Sequence, residues 1–143
     1  MILQQSQTVD IPQPLKDSLR KFRFARRNAG SAAFIVKINK QALKMEEVKQ
    51  FDSISIEDLA EELPEGSPRY VVLSYELKHE DGRISFPLVL INWAPQISEM
   101  GLLTLHASAL LAFQNTVEVS KVVEIRDGAE GLTKAVIDAK LSS

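Results

Sequence analysis

The spacing of hydrophobic residues along the chain predicts an alternation of helices and strands. Apolar side chains recur every three or four positions over residues 14–24, which predicts a helix, and every second position over residues 32–40, which predicts a strand. Residues 43–51 form a less regular run that is interpreted as the partner of that strand. A short acidic helix is predicted over residues 56–63, because Ser55 offers a cap and a segment rich in proline and glycine follows.

Two long alternating runs, residues 70–79 and 83–93, carry the clearest local pattern in the chain. The dipeptide Asp81-Gly82 between them favours a hairpin turn, so the two runs are predicted to pair as strands. Pro87 lies inside the second run and must occupy an edge or a position without a ladder hydrogen bond.

The rest of the chain is predicted to contain a long helix over residues 98–115, a strand over residues 117–125 and an amphipathic helix over residues 131–141. Two hairpin-like pairs and one strand reached through a long helix imply an α+β fold. Its central mixed five-stranded sheet should be covered by helices on both faces. All 143 residues are assigned to one domain, with residues 1–10 as a flexible N-terminal tail.

The composition argues against catalysis. The chain has no cysteine, which rules out disulfides, thiolate zinc sites and cysteine nucleophiles. Its two histidines do not share metal-ligand spacing, and its glycines are scattered instead of forming a phosphate-binding loop. His79 is expected to be a solvated residue beside the hairpin turn, and His106 a hydrogen-bonded residue at the margin of the core. We therefore predict a protein that is not an enzyme and that uses no cofactor or metal.

Charge is distributed unevenly, although the net charge is only -2. Residues 16–27 contain six basic residues and one acid, whereas residues 57–65 contain five acids and no base. The basic segment is either a solvated helix face or a partner-binding patch. The small negative net charge argues against general nucleic-acid binding. The polar residues within the uncharged segment 100–117 argue against a membrane span, and residues 1–9 lack the features of a secretory signal.

The long predicted helix has an unusual outer side. A helical wheel places its core side at Leu102, Leu105, Ala109 and Phe113, with His106 beside them. The opposite side, which we call the outer strip, carries no charged residue and consists of Met100, Thr104, Ala107, Ser108, Leu111 and Asn115. Either this helix is buried on both sides, or the outer strip is exposed and inserts into a groove of a partner.

Four phrases of the sequence resemble the glia maturation factors, a branch of the ADF-homology (cofilin-like) superfamily. They are LRKFRF at residues 19–24, ELPEGSPRY at 62–70, SYELKHEDGRISFPL at 74–88 and SKVVEIR at 120–126. The resemblance extends over residues 15–141, and the hairpin phrase is specific to this branch, since ordinary cofilins lack it. It implies the ADF-homology fold, whose order of helices and strands is the one predicted above.

The resemblance also implies a function: a non-enzymatic regulator of the actin cytoskeleton. Members of the family bind the actin-related protein 2/3 complex, inhibit branched nucleation and promote debranching of actin filaments. The implied partners are that complex and the first actin subunit of the daughter filament, with no nucleic acid and no membrane. The protein is expected to be a monomer in the cytoplasm, at cortical branched-actin sites. A cofilin-like module that binds and severs actin filaments is the alternative.

Two surfaces are implied by the same resemblance. The first, which we call the helical surface, binds the branching complex and maps to Arg20, Lys21, Arg23, Met100, Thr104, Ser108 and Leu111. The second, the hairpin surface, contacts actin of the daughter filament and maps to Lys78, Glu80, Asp81, Arg83 and Lys134. The long helix of the family carries lysines where this chain has Leu110, Leu111 and Ala112. We therefore expect contact there to depend on apolar fit and on the N-terminal basic cluster.

Overall fold

A computed structural model describes residues 8–142, which form a five-stranded sheet with helices on both faces. The helices are α1 (Gln13–Phe24), α2 (Ile56–Glu62), α3 (Met100–Val117) and α4 (Lys134–Ser142). The strands are β1 (Ser31–Asn39), β2 (Lys44–Ile54), β3 (Arg69–Ser74), β4 (Leu77–Lys78), β5 (Ile84–Ser85), β6 (Leu88–Trp93) and β7 (Val122–Ile125).

The sheet has the strand order β2-β1-β3-β6-β7, and the pairs from β2 to β6 are antiparallel. The last pair, β6 with β7, is parallel. A parallel pair needs a long crossover connection, and α3 provides it. The mixed five-stranded sheet that the sequence predicts is thus confirmed.

The alternation of side chains along each strand divides the apolar residues between two cores. Phe34 and Val36 of β1 pack with α1 and α3, whereas Ala33 and Ile35 pack with α2 and α4. This is the period of two that the sequence shows over β1. As a result, α3 and α4 lie on opposite faces of the sheet.

The two long alternating runs are each interrupted, and their prediction as single continuous strands was wrong. Glu76 leaves the ladder after β3, because its N–H donates to the Ser31 hydroxyl (2.9 Å) and its carboxylate accepts the Gly30 N–H (2.8 Å). Opposite it, Pro87 has no N–H, and its carbonyl accepts the Tyr75 N–H (3.0 Å). Strands β4 and β5 therefore form a separate two-stranded hairpin.

The end of α3 also differs from the prediction, which began the last strand at residue 117. The helix continues to Val117 and ends at Glu118, whose φ of 56° places it in the left-handed region. Val119 is buried against the core of α1 and α3 as part of a connection, and β7 begins only at Val122. The run 117–125 has the apolar pattern of a strand because the connection after α3 and strand β7 both contain buried apolar residues.

The predicted N-terminal tail spans residues 1–10, of which residues 1–7 lie outside the described part of the chain. Val9 is buried. The Asp10 N–H donates to the Leu43 carbonyl (2.8 Å), and the Asp10 carbonyl accepts the Met45 N–H (2.9 Å). The segment from residue 8 to residue 10 is thereby attached to the beginning of β2.

A buried network of polar and aromatic groups joins α3 to the sheet. The His106 ring, 1% exposed, stacks on the Tyr70 ring at a centroid distance of 4.0 Å. Its Nε2 lies 2.7 Å from Asn92 Oδ1, and the Tyr70 hydroxyl donates to the His106 carbonyl (2.6 Å). His106 is hydrogen-bonded as predicted, but it lies inside the core instead of at its margin.

We predict that His106 makes the free energy of unfolding depend on pH. Burial, with a smaller contribution from the charge of Arg69, lowers the pKa of His106 from 6.5 to about 4. Between pH 6.5 and pH 4 the unfolded chain binds a proton at this histidine and the folded chain does not. The contribution of neutral His106 to the free energy of unfolding is therefore complete above pH 6.5 and is lost as the pH falls through 4. Between pH 7 and pH 5, urea unfolding should show a loss on the order of 2 kcal/mol that His106→Gln removes. The control His79→Gln should retain the loss, and an equal slope in both variants would contradict the prediction.

Candidate protein-binding surfaces

The outer strip of α3 lies at the surface of the molecule. Met100 is 77% exposed and Leu111 is 66% exposed, whereas Leu105 and Phe113 on the other side are buried. The remaining members of the outer strip are exposed or largely so: Thr104, Ala107, Ser108 and Asn115. The interpretation that α3 is buried on both sides was therefore wrong. The strip is an uncharged, partly apolar surface.

Both ends of α3 are fixed by charged side chains. At the N-terminus the Glu99 carboxylate accepts the N–H groups of Gly101 and Leu102, and it forms an ion pair with Lys40 at 2.7 Å. The hydrogen bond from Lys40, followed by that from the Leu102 N–H, lowers the pKa of Glu99. The cap satisfies N–H groups that have no partner within the helix.

At the C-terminus of α3 the fixing group is Arg23 of α1. Its guanidinium donates to the carbonyls of Val117 (2.6 Å) and Glu118 (3.0 Å). No N–H group of the helix donates to these carbonyls. Sequence reasoning placed Arg23 among partner contacts and missed this role, because the contact joins residues 94 positions apart. The positive charge also faces the negative end of the helix dipole.

The other predicted basic residues of the helical surface are free to meet a partner. Arg20 and Lys21 are exposed, and neither forms an ion pair with any residue from 8 to 142. Arg20 lies over the ring of Phe24, with 5.6 Å between the guanidinium carbon and the ring centroid. Phe24 is itself 67% exposed, a feature that the sequence pattern did not predict.

The hairpin surface contains one hydrogen-bonded unit at its tip. The Asp81 carboxylate accepts the backbone N–H of Arg83 (3.0 Å) and pairs with the Arg83 side chain (2.7 Å). The backbone hydrogen bond and then the side-chain bond lower the pKa of Asp81. Gly82 closes the turn with a φ of 91°. Lys78 and Glu80 are exposed beside this unit.

His79 lies beside the tip of the hairpin, and Lys134 lies on α4. The expectation that His79 is solvated was wrong, because it is half-buried and its Nε2 lies 2.8 Å from the Ser85 hydroxyl. Lys134 is exposed at the start of α4 and lines a depression of about 300 Å³ with Tyr75. The Tyr75 hydroxyl donates to Asp138 of α4 (2.7 Å), which ties α4 to the point where the hairpin leaves the main sheet.

Within residues 8–142, no group of three or more histidine and carboxylate side chains is placed to hold a metal ion. In the same range no helix is long and apolar enough to cross a bilayer.

Residues 8–142 match the family model of cofilin/tropomyosin-type actin-binding proteins. The glia maturation factor of Drosophila melanogaster is 36% identical over 138 residues, which cover 95% of this chain and 97% of the relative. Glia maturation factor beta of Homo sapiens is 37% identical over 92% of both chains. This chain belongs to the glia maturation factor family. It is thus one of the actin-regulating proteins with the ADF-homology fold.

Solved structures agree with this family membership. The solution structure of glia maturation factor from Caenorhabditis elegans has a TM-score of 0.80 and 33% identity, and covers 97% of this chain and 99% of its own. A cofilin from Streptomyces griseoflavus has a TM-score of 0.78 at 20% identity, over 94% of this chain and 98% of its own, and shows likeness of fold alone. The predicted ADF-homology fold is confirmed.

We predict that Arg23 stabilises the fold and that its neighbour on α1 does not. Arg23→Gln removes a cation from the end of α3 and should lower the free energy of unfolding by about 1–2 kcal/mol. Amide hydrogen exchange should rise in the last turn of α3. The matched variant Arg20→Gln should leave both measurements unchanged, because Arg20 donates no hydrogen bond to the rest of the described chain. Equal stability of the two variants would contradict the role of Arg23 as a cap.

Proposed function

We propose that the protein binds the actin-related protein 2/3 complex, inhibits branched nucleation and promotes debranching of actin filaments. The observation that carries the proposal is the exposed, uncharged outer strip of α3 in a chain of this family. We propose further that it acts as a non-enzymatic monomer in the cytoplasm, at cortical branched-actin sites. No nucleic acid or membrane takes part in this action.

The outer strip suits a cleft between the subdomains of an actin-like subunit. From Met100 to Leu111 it extends over about 16 Å of helix, at 1.5 Å per residue. Met100 and Leu111 supply apolar area, which contributes about 25 cal/mol for each Å² removed from water. Ala107 and Ser108 are small, and the Ser108 hydroxyl already donates to the Leu105 carbonyl (2.8 Å), so its burial leaves no unpaired donor.

Debranching would then follow by competition. An actin subunit of the daughter filament needs the same cleft, so occupation of the cleft by α3 weakens the junction by mass action. The unpaired cations Arg20 and Lys21 add electrostatic attraction at the side of this contact. Because α4 lies on the opposite face of the sheet from α3, the hairpin surface with Lys134 is free to contact the first actin of the daughter filament at the same time.

The first test of this proposal is a charge on the outer strip. Leu111→Asp should weaken binding to the purified branching complex by at least about tenfold, because it removes apolar contact and buries a carboxylate. Leu111 is exposed, so the thermal unfolding midpoint should not change. The control Val48→Asp, at an exposed position of β2, should bind as the unchanged protein does.

Co-sedimentation with bare actin filaments completes this experiment. Binding to the complex with little binding to bare filaments supports the proposal. Binding and severing of bare filaments without binding to the complex would replace it with the cofilin-like function.

A second prediction separates the hairpin surface from the helical surface. Arg83→Glu breaks the ion pair with Asp81 and reverses one charge at the tip of the hairpin. It should lower the rate of branch loss, observed by fluorescence microscopy, by several-fold while affinity for the isolated complex stays the same. Lys44→Glu makes the same charge change at an exposed residue of β2 and should alter neither measurement. A parallel loss of affinity in Arg83→Glu would show that the two surfaces do not act separately.

A further inference from the structure

A groove of about 490 Å³ lies between α1 and the C-terminal end of α3, apart from the outer strip. Its lining includes Lys16, Leu19, Arg20 and Phe24 of α1 together with Thr116 and Val117 of α3. The proposed function assigns contacts to Arg20 on one side of this groove but gives no role to the groove itself.

Phe24 forms one side of the groove and is held in place by two guanidinium groups. The side chains of Arg20 and Arg23 each lie over its ring, at 5.6 Å from the centroid. Arg23 is in turn fixed by the carbonyls at the end of α3, so the ring has a fixed support. One exposed apolar side chain is ordinary on a protein surface, but here a supported aromatic ring borders a groove.

The groove is lined by cations of α1 that form no ion pair with a carboxylate among residues 8–142. Lys16 and Arg20 line the groove and form no ion pair with any residue between 8 and 142, and the same holds for Lys21 and Arg26 elsewhere in the basic segment 16–27. By contrast Lys40, Lys49, Arg83 and Arg126 all pair with carboxylates. Two acids, Asp17 and Glu118, also line the groove. A uniform polyanion, such as a nucleic-acid backbone or an anionic bilayer, would therefore meet repulsion there as well as attraction.

We propose that this groove binds an acidic peptide segment of a partner protein. An apolar side chain of the segment packs against Phe24, and its carboxylates face Lys16 and Arg20. The mixed lining favours a segment with separate acidic and apolar positions over a ligand of uniform charge. This inference deepens the proposed function and rests on it only for the identity of the partner, since the groove lies beside the basic part of the helical surface.

The test uses the whole protein and a short fluorescein-labelled peptide of aspartates around a central tryptophan. Fluorescence anisotropy should show binding that weakens with added salt. Phe24→Ala should raise the Kd by at least about tenfold, and Phe24→Leu should retain part of the affinity. The control Val48→Ala, which also removes an exposed apolar side chain, should bind the peptide normally. Amide chemical shifts should change in α1 and in the last turn of α3.

Several outcomes would overturn the inference. These are no binding of the peptide, equal binding of a peptide with lysines in place of aspartates, or equal binding by Phe24→Ala. Binding of phosphatidylserine vesicles or single-stranded DNA that depends on Phe24 and exceeds peptide binding would also overturn it. Pull-down of the branching complex tests the proposed function separately. If the unchanged protein binds the peptide but not the complex, the proposed function fails and the groove stands; the reverse result rejects the groove alone.

Discussion

The side chain of Tyr70, on the middle strand of the sheet, makes three contacts with α3, and the position of the helical surface depends on them. Its ring stacks on His106 at 4.0 Å and on Phe113 at 4.7 Å, and its hydroxyl donates to the His106 carbonyl. Burial raises the pKa of Tyr70, so the hydroxyl remains a donor. Together with Glu99 and Arg23 at the two ends, these contacts fix the position of α3 over the sheet and its rotation about its own axis. They therefore determine which residues face outward.

The sheet itself separates the two proposed activities. Side chains alternate along β1 and β3, so one face carries α1 and α3 while the other carries α2 and α4. The Tyr75–Asp138 hydrogen bond ties the base of the hairpin to α4 and not to α3. A partner at the outer strip and a partner at the hairpin therefore meet different layers of one molecule, which suits a protein placed between two subunits.

Much of the fold could be predicted from the sequence, because the spacing of apolar residues within each segment indicates a helix or a strand. The period of two in β1 separates the residues of the two cores, and the helical wheel of α3 separates its buried side from its exposed side. Pro87 signals a break in the second run, but the departure of Glu76 from the ladder was not predictable in the same way, since it depends on hydrogen bonds with Gly30 and Ser31 across about 45 residues. The residues of the candidate surfaces also differ in how far a local pattern indicates their role. The wheel places Met100 and Leu111 opposite the core side but leaves open whether that side is buried. The cap by Arg23, which also fixes this guanidinium over Phe24, arises only when α1 packs on α3.

The exposure of the outer strip has a consequence for how such a protein can change over time. Leu111 and Ala112 contribute little to the core, so substitutions there can alter partner preference without loss of folding stability. By contrast, Phe113 and His106 on the same helix are tied to Tyr70 and have no such freedom. One helix thus has one side whose residues the fold requires and another side whose residues can be exchanged at little cost to folding stability.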